Sequence, residues 1–132
     1  MVQNEGLRWI QAATDDLNAT QSLLADGYYH LCAFHAQQAA EKALKGLLRL
    51  LGRVPWGHSC FDLLTEIDGL LSSAVDASLF SSAQRLDGHY IPSRYPDAFP
   101  SGVPSDHYDE TTAQQAIADA KALLDCVQGN VP

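Results

Sequence analysis

The stretch from Tyr28 to Leu51, YYHLCAFHAQQAAEKALKGLLRLL, contains no proline and is rich in Ala, Leu, Gln, Glu and Lys. That composition predicts one long helix. At about 100° per residue, Cys32, Ala36, Ala39, Ala40, Ala43, Leu44, Leu47 and Leu51 share one broad face, which suits close packing against neighbouring helices. His35, Gln38, Lys42, Lys45 and Arg49 share the other. They recur at three- and four-residue steps, so their side chains stand in a row that can line a groove. A solvated helix face has the same look, and Glu41 with Lys45 is an ordinary (i, i+4) pair. The distribution of charge favours the groove. The chain holds 8 basic and 16 acidic residues, yet Lys42, Lys45, Arg49 and Arg53 place half of the basic charge within twelve positions. An acidic protein whose cations gather on one helix offers a local anion site, while its overall field repels long polyanions.

With 132 residues and 46% hydrophobic content, the chain is expected to form one domain, residues 1–132, around a single core. A net charge of −8 argues against coating duplex DNA by bulk electrostatics. Cys32, Cys60 and Cys126 are odd in number and widely spaced, with no Cys-x-x-Cys pair. This predicts neither disulfides nor a zinc knuckle, and points to a reducing cytoplasm. No apolar run reads as a signal peptide, and none approaches the roughly 18 residues of a membrane span. His30, His89 and His107 lack the (i, i+4) spacing of a helical zinc pair, so neither a metal nor another cofactor is implied.

A first helix is expected over about Glu5–Ala25, because Leu7, Ile10, Ala13 or Thr14, Leu17, Thr20 or Gln21 and Leu24 recur at helical spacing. Gly27 is its natural left-handed cap, making it a hairpin with the Tyr28–Leu51 helix, which Gly52 and Pro55 end. Ser59 with Asp62 resembles a capping box and opens a third helix over about Cys60–Leu71, burying Phe61, Leu64, Ile67 and Leu71. A fourth runs over roughly Asp76–Asp87 with Asp76 as N-cap, and a last one over Asp106–Val127. Between these two, Pro92, Pro96 and Pro100 recur every fourth residue in Gly88–Ser105. They forbid a helix there and leave a turn-rich connection, anchored by Tyr90, Ile91, Tyr95 and Phe99. The expected fold is all-α: an up-and-down helical bundle of four to five helices with a proline-rich connection before the last helix.

That connection carries the second candidate constellation, Tyr90, Arg94, Tyr95 and Asp97. Arginine offers a planar five-donor fork for phosphate, and tyrosines stack on bases. Equally, the tyrosines could be anchors, with Arg94 and Asp97 closing the loop as a local ion pair worth at most about 1 kcal/mol.

FHAQQAAEKALKGLL, the link Gly52-x-x-Pro55-x-x-His58, and Tyr90-x-x-x-Arg94-Tyr95-Pro96-Asp97 together resemble the HEPN domain family across essentially the whole chain. The resemblance implies a bundle that forms a homodimer, a nucleotide or RNA ligand, and, in prokaryotes, pairing with a minimal nucleotidyltransferase as a toxin–antitoxin couple. Ribonuclease members carry Arg-x(4–6)-His. Here Arg85 to His89 is one residue short, Arg94 to His107 is far too long, and Arg53 to His58 fits but lies in the link after helix two. A nucleotide-binding, non-cleaving member is therefore expected. Lys42, Lys45 and Arg94 would converge on phosphate, while Tyr90, Tyr95, His35 and Gln38 contact the base or orient the cations. One alternative is a metal-independent ribonuclease toxin using Arg94 or Arg53 with His58 or His107. Against it, His58 just before the Ser59 cap has the position of a residue bonding the backbone at a helix start. Another alternative is an adaptor whose Lys42 and Lys45 meet an acidic protein.

Overall fold

The computed structural model describes residues 2–132, with side chains from Asn4 onward. Five helices follow one another: α1 Val2–Ala25, α2 Tyr29–Leu50, α3 Cys60–Leu70, α4 Ser78–Asp87 and α5 Glu110–Gly129. Two short 3-10 turns, Pro96–Ala98 and Pro104–His107, interrupt the proline-rich connection. No strand occurs among the described residues, and none of their helices is long and apolar enough to cross a membrane.

The central helix is α2. Its expected apolar face is buried from Cys32 to Leu47, with Ala33 and Leu48 added and Leu51 only half-buried. The alanines on that face let α1 and α5 approach closely from different sides, and Leu63, Leu64, Ile67, Leu86, Leu123 and Val127 complete the core. Gly27 and Gly52 adopt φ +79° and +80°, so the left-handed caps form as expected. The α1–α2 hairpin is tightest where Gly6 meets Gly46. A Cβ on Gly46 would lie 2.7 Å from the Gly6 carbonyl oxygen and 2.8 Å from Ile10 Cγ1. Backbone on one side leaves nothing to swing away, so Gly46→Val is expected to destabilise the fold by about 3 kcal/mol, the upper end of overpacking penalties. A lower urea midpoint with an unchanged m-value would register it; an unaltered midpoint would contradict the close contact.

Several boundaries and faces differ from expectation. Leu7 is 43% exposed, because Gly6, Ile10 and Ala13 form the inner stripe of α1. Asp76 accepts from Ser78 N and Oγ, each at 2.8 Å, two residues ahead of α4. The last helix starts at Glu110, with Asp109 accepting from Thr112 N at 2.8 Å; Pro104–His107 is a separate turn broken off by extended Tyr108. Ile91 and Tyr95 are exposed and do not anchor the connection. It is held instead by buried Ser93 and Pro104, by half-buried Phe99 stacked on His107, and by Tyr90.

Side chains distant in sequence bind the bundle together. Ser59 caps α3 as expected, accepting from Asp62 N at 3.1 Å, but the same N-terminus also meets Asp87 from the end of α4. The Asp87 carboxylate accepts from Ser59 Oγ at 2.8 Å, Cys60 N at 2.6 Å and Phe61 N at 3.1 Å, neutralising the positive end of the α3 dipole. Arg85 of α4 grips Asp119 of α5, 3% exposed, through Nε and Nη2 at 2.9 and 2.8 Å.

Candidate functional site

Gln37, Glu41 and Lys45 stand one turn apart on α2, so their side chains rise in a column. Glu41 is 5% exposed and is the hub of that column. Its carboxylate receives Gln37 Nε2 at 3.2 Å, Lys45 Nζ at 3.2 Å and, from the loop after α2, His58 Nδ1 at 3.3 and 3.4 Å. A buried carboxylate is tolerated only with such partners. The Gln37 amide also holds the His58 carbonyl oxygen at 3.2 Å, and Gln38 Nε2 donates to Gln37 Oε1 at 2.7 Å. Gly57, at φ +79°, turns the loop back so that His58 reaches α2. Val54 and Trp56 are 72% and 84% exposed, so the loop is fixed through His58 and not through its apolar residues.

The His58 ring stacks on Tyr90, with centroids 4.8 Å apart and planes 16° from parallel. Tyr90 in turn lies under Arg94, whose Cζ is 4.6 Å from the Tyr90 ring, 4.6 Å from Phe34 of α2 and 4.9 Å from Tyr95. Arg94 Nε donates to the Tyr90 carbonyl at 2.9 Å, the geometry of one helical turn. Three aromatic rings and one carbonyl thus hold the guanidinium, and no carboxylate among the described residues pairs with it. Its terminal nitrogens have no protein acceptor there and can meet an anion. Beside this stack, a cleft of about 230 Å³ is lined by His58, Ser59, Asp87 and Tyr90. Because Nδ1 of His58 faces a carboxylate, that nitrogen is the donor and Nε2 is left as an acceptor.

Of the residues expected to act together, Tyr90, Arg94 and Tyr95 cluster, and Lys45 joins them through Glu41 and His58. Lys42 does not. Its ammonium turns to Asp16 of α1 at 2.6 Å, and eight residues of helix, about 12 Å of rise, separate it from Phe34 beneath Arg94. The expected convergence of Lys42 and Arg94 on one phosphate is therefore corrected. His35 packs edge-on to Phe34 at 5.2 Å, and Gln38 touches the column only through Gln37. Asp97 is exposed in the first 3-10 turn and makes no ion pair with Arg94. Of the other pairings weighed, Arg53 is taken by Glu66 at 3.2 Å, while His107 is bonded to the Ser101 carbonyl at 2.8 Å and stacked on Phe99. Arg94 and His58 are brought to one ring, that of Tyr90.

Sequence reasoning missed Phe34, Gln37 and the hub role of Glu41. The available signal was polar residues at 37, 41 and 45 inside an alanine-rich helix, a column that a solvated face does not need. A thiol nucleophile is disfavoured: burial first, then the nearby Asp87 and Glu41 carboxylates, push the Cys60 pKa well above its ordinary value. Just past the C-terminal end of α4, next to Tyr90, burial lowers the His89 pKa and raises that of Tyr108 to about 12. These two share a 2.8 Å hydrogen bond.

The sequence profile of the HEPN domain matches residues 7–130. A protein of Methanocaldococcus jannaschii named "Putative toxin MJ1304" is 24% identical over 129 residues, covering 91% of this chain and 84% of its own. The crystal structure of TT1696 from Thermus thermophilus superposes with a TM-score of 0.91 at 40% identity, covering 96% of this chain and 98% of that one. ST0689, an archaeal HEPN homologue, gives a TM-score of 0.82 at 38% identity, covering 97% and 98%.

Proposed function

Because the chain belongs to the HEPN domain family, we propose that it binds RNA or a nucleotide at the Arg94–Tyr90–His58 stack. The observation that carries this reading is the Arg94 guanidinium, caged by three rings, unpaired with any described carboxylate and open at its terminal nitrogens. Such an arginine is preorganised for phosphate, since little side-chain freedom remains to be lost. Tyr95, 47% exposed beside it, offers a face on which a base can stack. Calorimetric titration of nucleotides and short RNA into the parent protein and Arg94→Ala tests the assignment, and absence of binding by the parent would remove it. In the same reading the bundle works as a homodimer, and alongside a minimal nucleotidyltransferase in a paired system. Light scattering and co-purification with a neighbouring nucleotidyltransferase test those two parts.

A second reading, metal-independent RNA cleavage, is favoured by the His58–Glu41 pair. Glu41 orients the imidazole, whose side chain is 58% exposed, the arrangement of a general base, while Arg94, which packs on the same Tyr90 ring as His58, would steady charge on a phosphate. His58 Nε2 would take the proton of the RNA 2′-hydroxyl as its oxygen attacks the adjacent phosphorus, the P–O5′ bond would break to leave a 2′,3′-cyclic phosphate, and the departing 5′-oxygen would take a proton from water. The relative named as a toxin is consistent with such an activity. On this reading His58→Asn lowers the cleavage rate of single-stranded or transfer RNA in chelator by about 10²–10⁴-fold and leaves RNA affinity within a few fold. Equal cleavage by parent and variant would instead identify a contaminating nuclease.

A further inference from the structure

The other end of α2 holds a second cationic surface. Arg49 lies with Cζ 5.0 Å from the Trp9 ring centroid, and Lys45 Nζ lies 6.0 Å from it. Trp9 Nε1 donates to Glu5 Oε1 at 3.1 Å, so the indole is fixed in orientation. Beside the ring, a hollow of about 250 Å³ is lined by Glu5, Arg8, Trp9, Ala12 and Lys42. Three of the surrounding cations are matched by carboxylates: Arg8 by Glu5, Lys42 by Asp16 and Lys45 by Glu41. Arg49 has no such match, and its Nε is buried without any hydrogen-bond acceptor among the described residues. A sequestered, unsatisfied guanidinium nitrogen is uncommon in folded proteins, and here it stands in a chain of net charge −8.

We infer that this flank is a second nucleotide subsite and that the ligand is a single-stranded polynucleotide which runs along α2 from Arg94 to Arg49. The inference rests on the RNA reading of the Arg94 stack and specifies its substrate class. Three features support it. The terminal nitrogens of Arg49, unlike its buried Nε, are not sequestered and have no carboxylate partner among the described residues, so they can meet a phosphate. The hollow lined in part by Trp9 offers an aromatic surface for a base, the pairing used by proteins that hold single strands. Lys45 belongs to both ends, because its ammonium is bonded to Glu41 of the first site and faces the Trp9 ring of the second. Phe34, under Arg94, and Arg49 are fifteen residues apart, about 22 Å along the helix, a span that a mononucleotide cannot bridge and an extended strand can.

The full chain carrying Trp56→Phe makes Trp9 the sole tryptophan of the two present and reports the second subsite by fluorescence. Uridine monophosphate and a uridine oligoribonucleotide of about twelve units are the probes. The oligomer is expected to quench Trp9 and to bind at least tenfold more tightly than the monophosphate. Arg49→Met, which keeps an unbranched apolar stem against Trp9, is expected to weaken the oligomer about tenfold and leave the monophosphate unchanged. It also reduces the salt dependence by about 0.7 in log–log slope, one phosphate contact on a single strand. Arg49→Gln, with circular dichroism on both variants, separates lost contact from lost fold. Arg94→Ala weakens both probes. An oligomer bound no more tightly than the monophosphate, or indifferent to both Arg49 substitutions, overturns the second subsite while the Arg94 site stands. Indifference of both probes to Arg94→Ala overturns the underlying reading, and binding of neither probe overturns both. An oligoglutamate that depends on Arg49 where the RNA does not would assign the flank to an acidic protein and overturn the inference.

Discussion

Replacing Arg94 by alanine is expected to lower RNA affinity at least tenfold, with circular dichroism and the urea midpoint close to those of the parent. On the proposed function the guanidinium would supply charge-assisted donors to phosphate, worth roughly 1.5–3 kcal/mol per bond, and Lys42 would not replace it, being committed to Asp16 across the α1–α2 seam. The fold should lose little. Arg94 is only partly buried, and a cation over exposed rings contributes about 0.5–1 kcal/mol. Arg94→Lys separates charge from shape: an ammonium keeps the charge but loses the planar fork that stacks against Phe34, Tyr90 and Tyr95, so it should recover only part of the affinity. Full recovery by lysine would mean that the aromatic cage has no part in holding the donor.

Glu41→Ala is expected to destabilise the fold by about 3 kcal/mol. That corresponds to a fall in Tm of roughly 10 °C for a chain of this size. The reason lies in what the substitution leaves behind. Lys45, with a side chain only 12% exposed, would keep a buried ammonium without its counter-charge, and the Gln37 amide would lose one acceptor. Glu41→Gln keeps the shape and part of the hydrogen bonding and should cost less. Lys45→Met in the Glu41→Ala background removes the stranded charge, so it should restore much of the lost stability. Both Glu41 variants also release His58 from its carboxylate, which couples the core to the site: ligand binding or cleavage that depends on the orientation of His58 falls with them. Differential scanning calorimetry together with the RNA assays distinguishes the two effects, and a thermally silent Glu41→Ala would mean that the carboxylate is not a hub.

How far the site was legible follows from where each partner lies in the chain. The aromatic and arginine positions of the connection were visible because all belong to one short segment, Tyr90 to Tyr95. The α2 stripe was visible in kind but displaced around the helix, toward Phe34 and Glu41 and away from His35 and Lys42. A helical wheel ranks residues by polarity, whereas burial depends on what the rest of the chain lays against each side. Glu41 read as the ordinary salt-bridge partner of Lys45, and it is that. Its imidazole partner is His58, seventeen residues later, and no periodicity within α2 announces that contact. His58 itself read as a residue at a helix start, and its backbone carbonyl is indeed bonded, by Gln37; the ring is what the sequence left unassigned.

The succession of helices, the glycine caps at Gly27 and Gly52 and the inner face of α2 were already set by the order of residues. These follow from hydrogen bonds between residues four apart and from side-chain steps of one turn, both properties of a contiguous segment. Packing alone settled that Asp87 closes α3, that Asp16 claims Lys42, and that Tyr90 meets both His58 and Arg94. Each of these depends on which surfaces meet when the helices come together. A charged side chain settles on whichever partner that packing brings within about 4 Å, and here those partners lie between three residues away, as in Arg8 with Glu5, and thirty-four, as in Arg85 with Asp119.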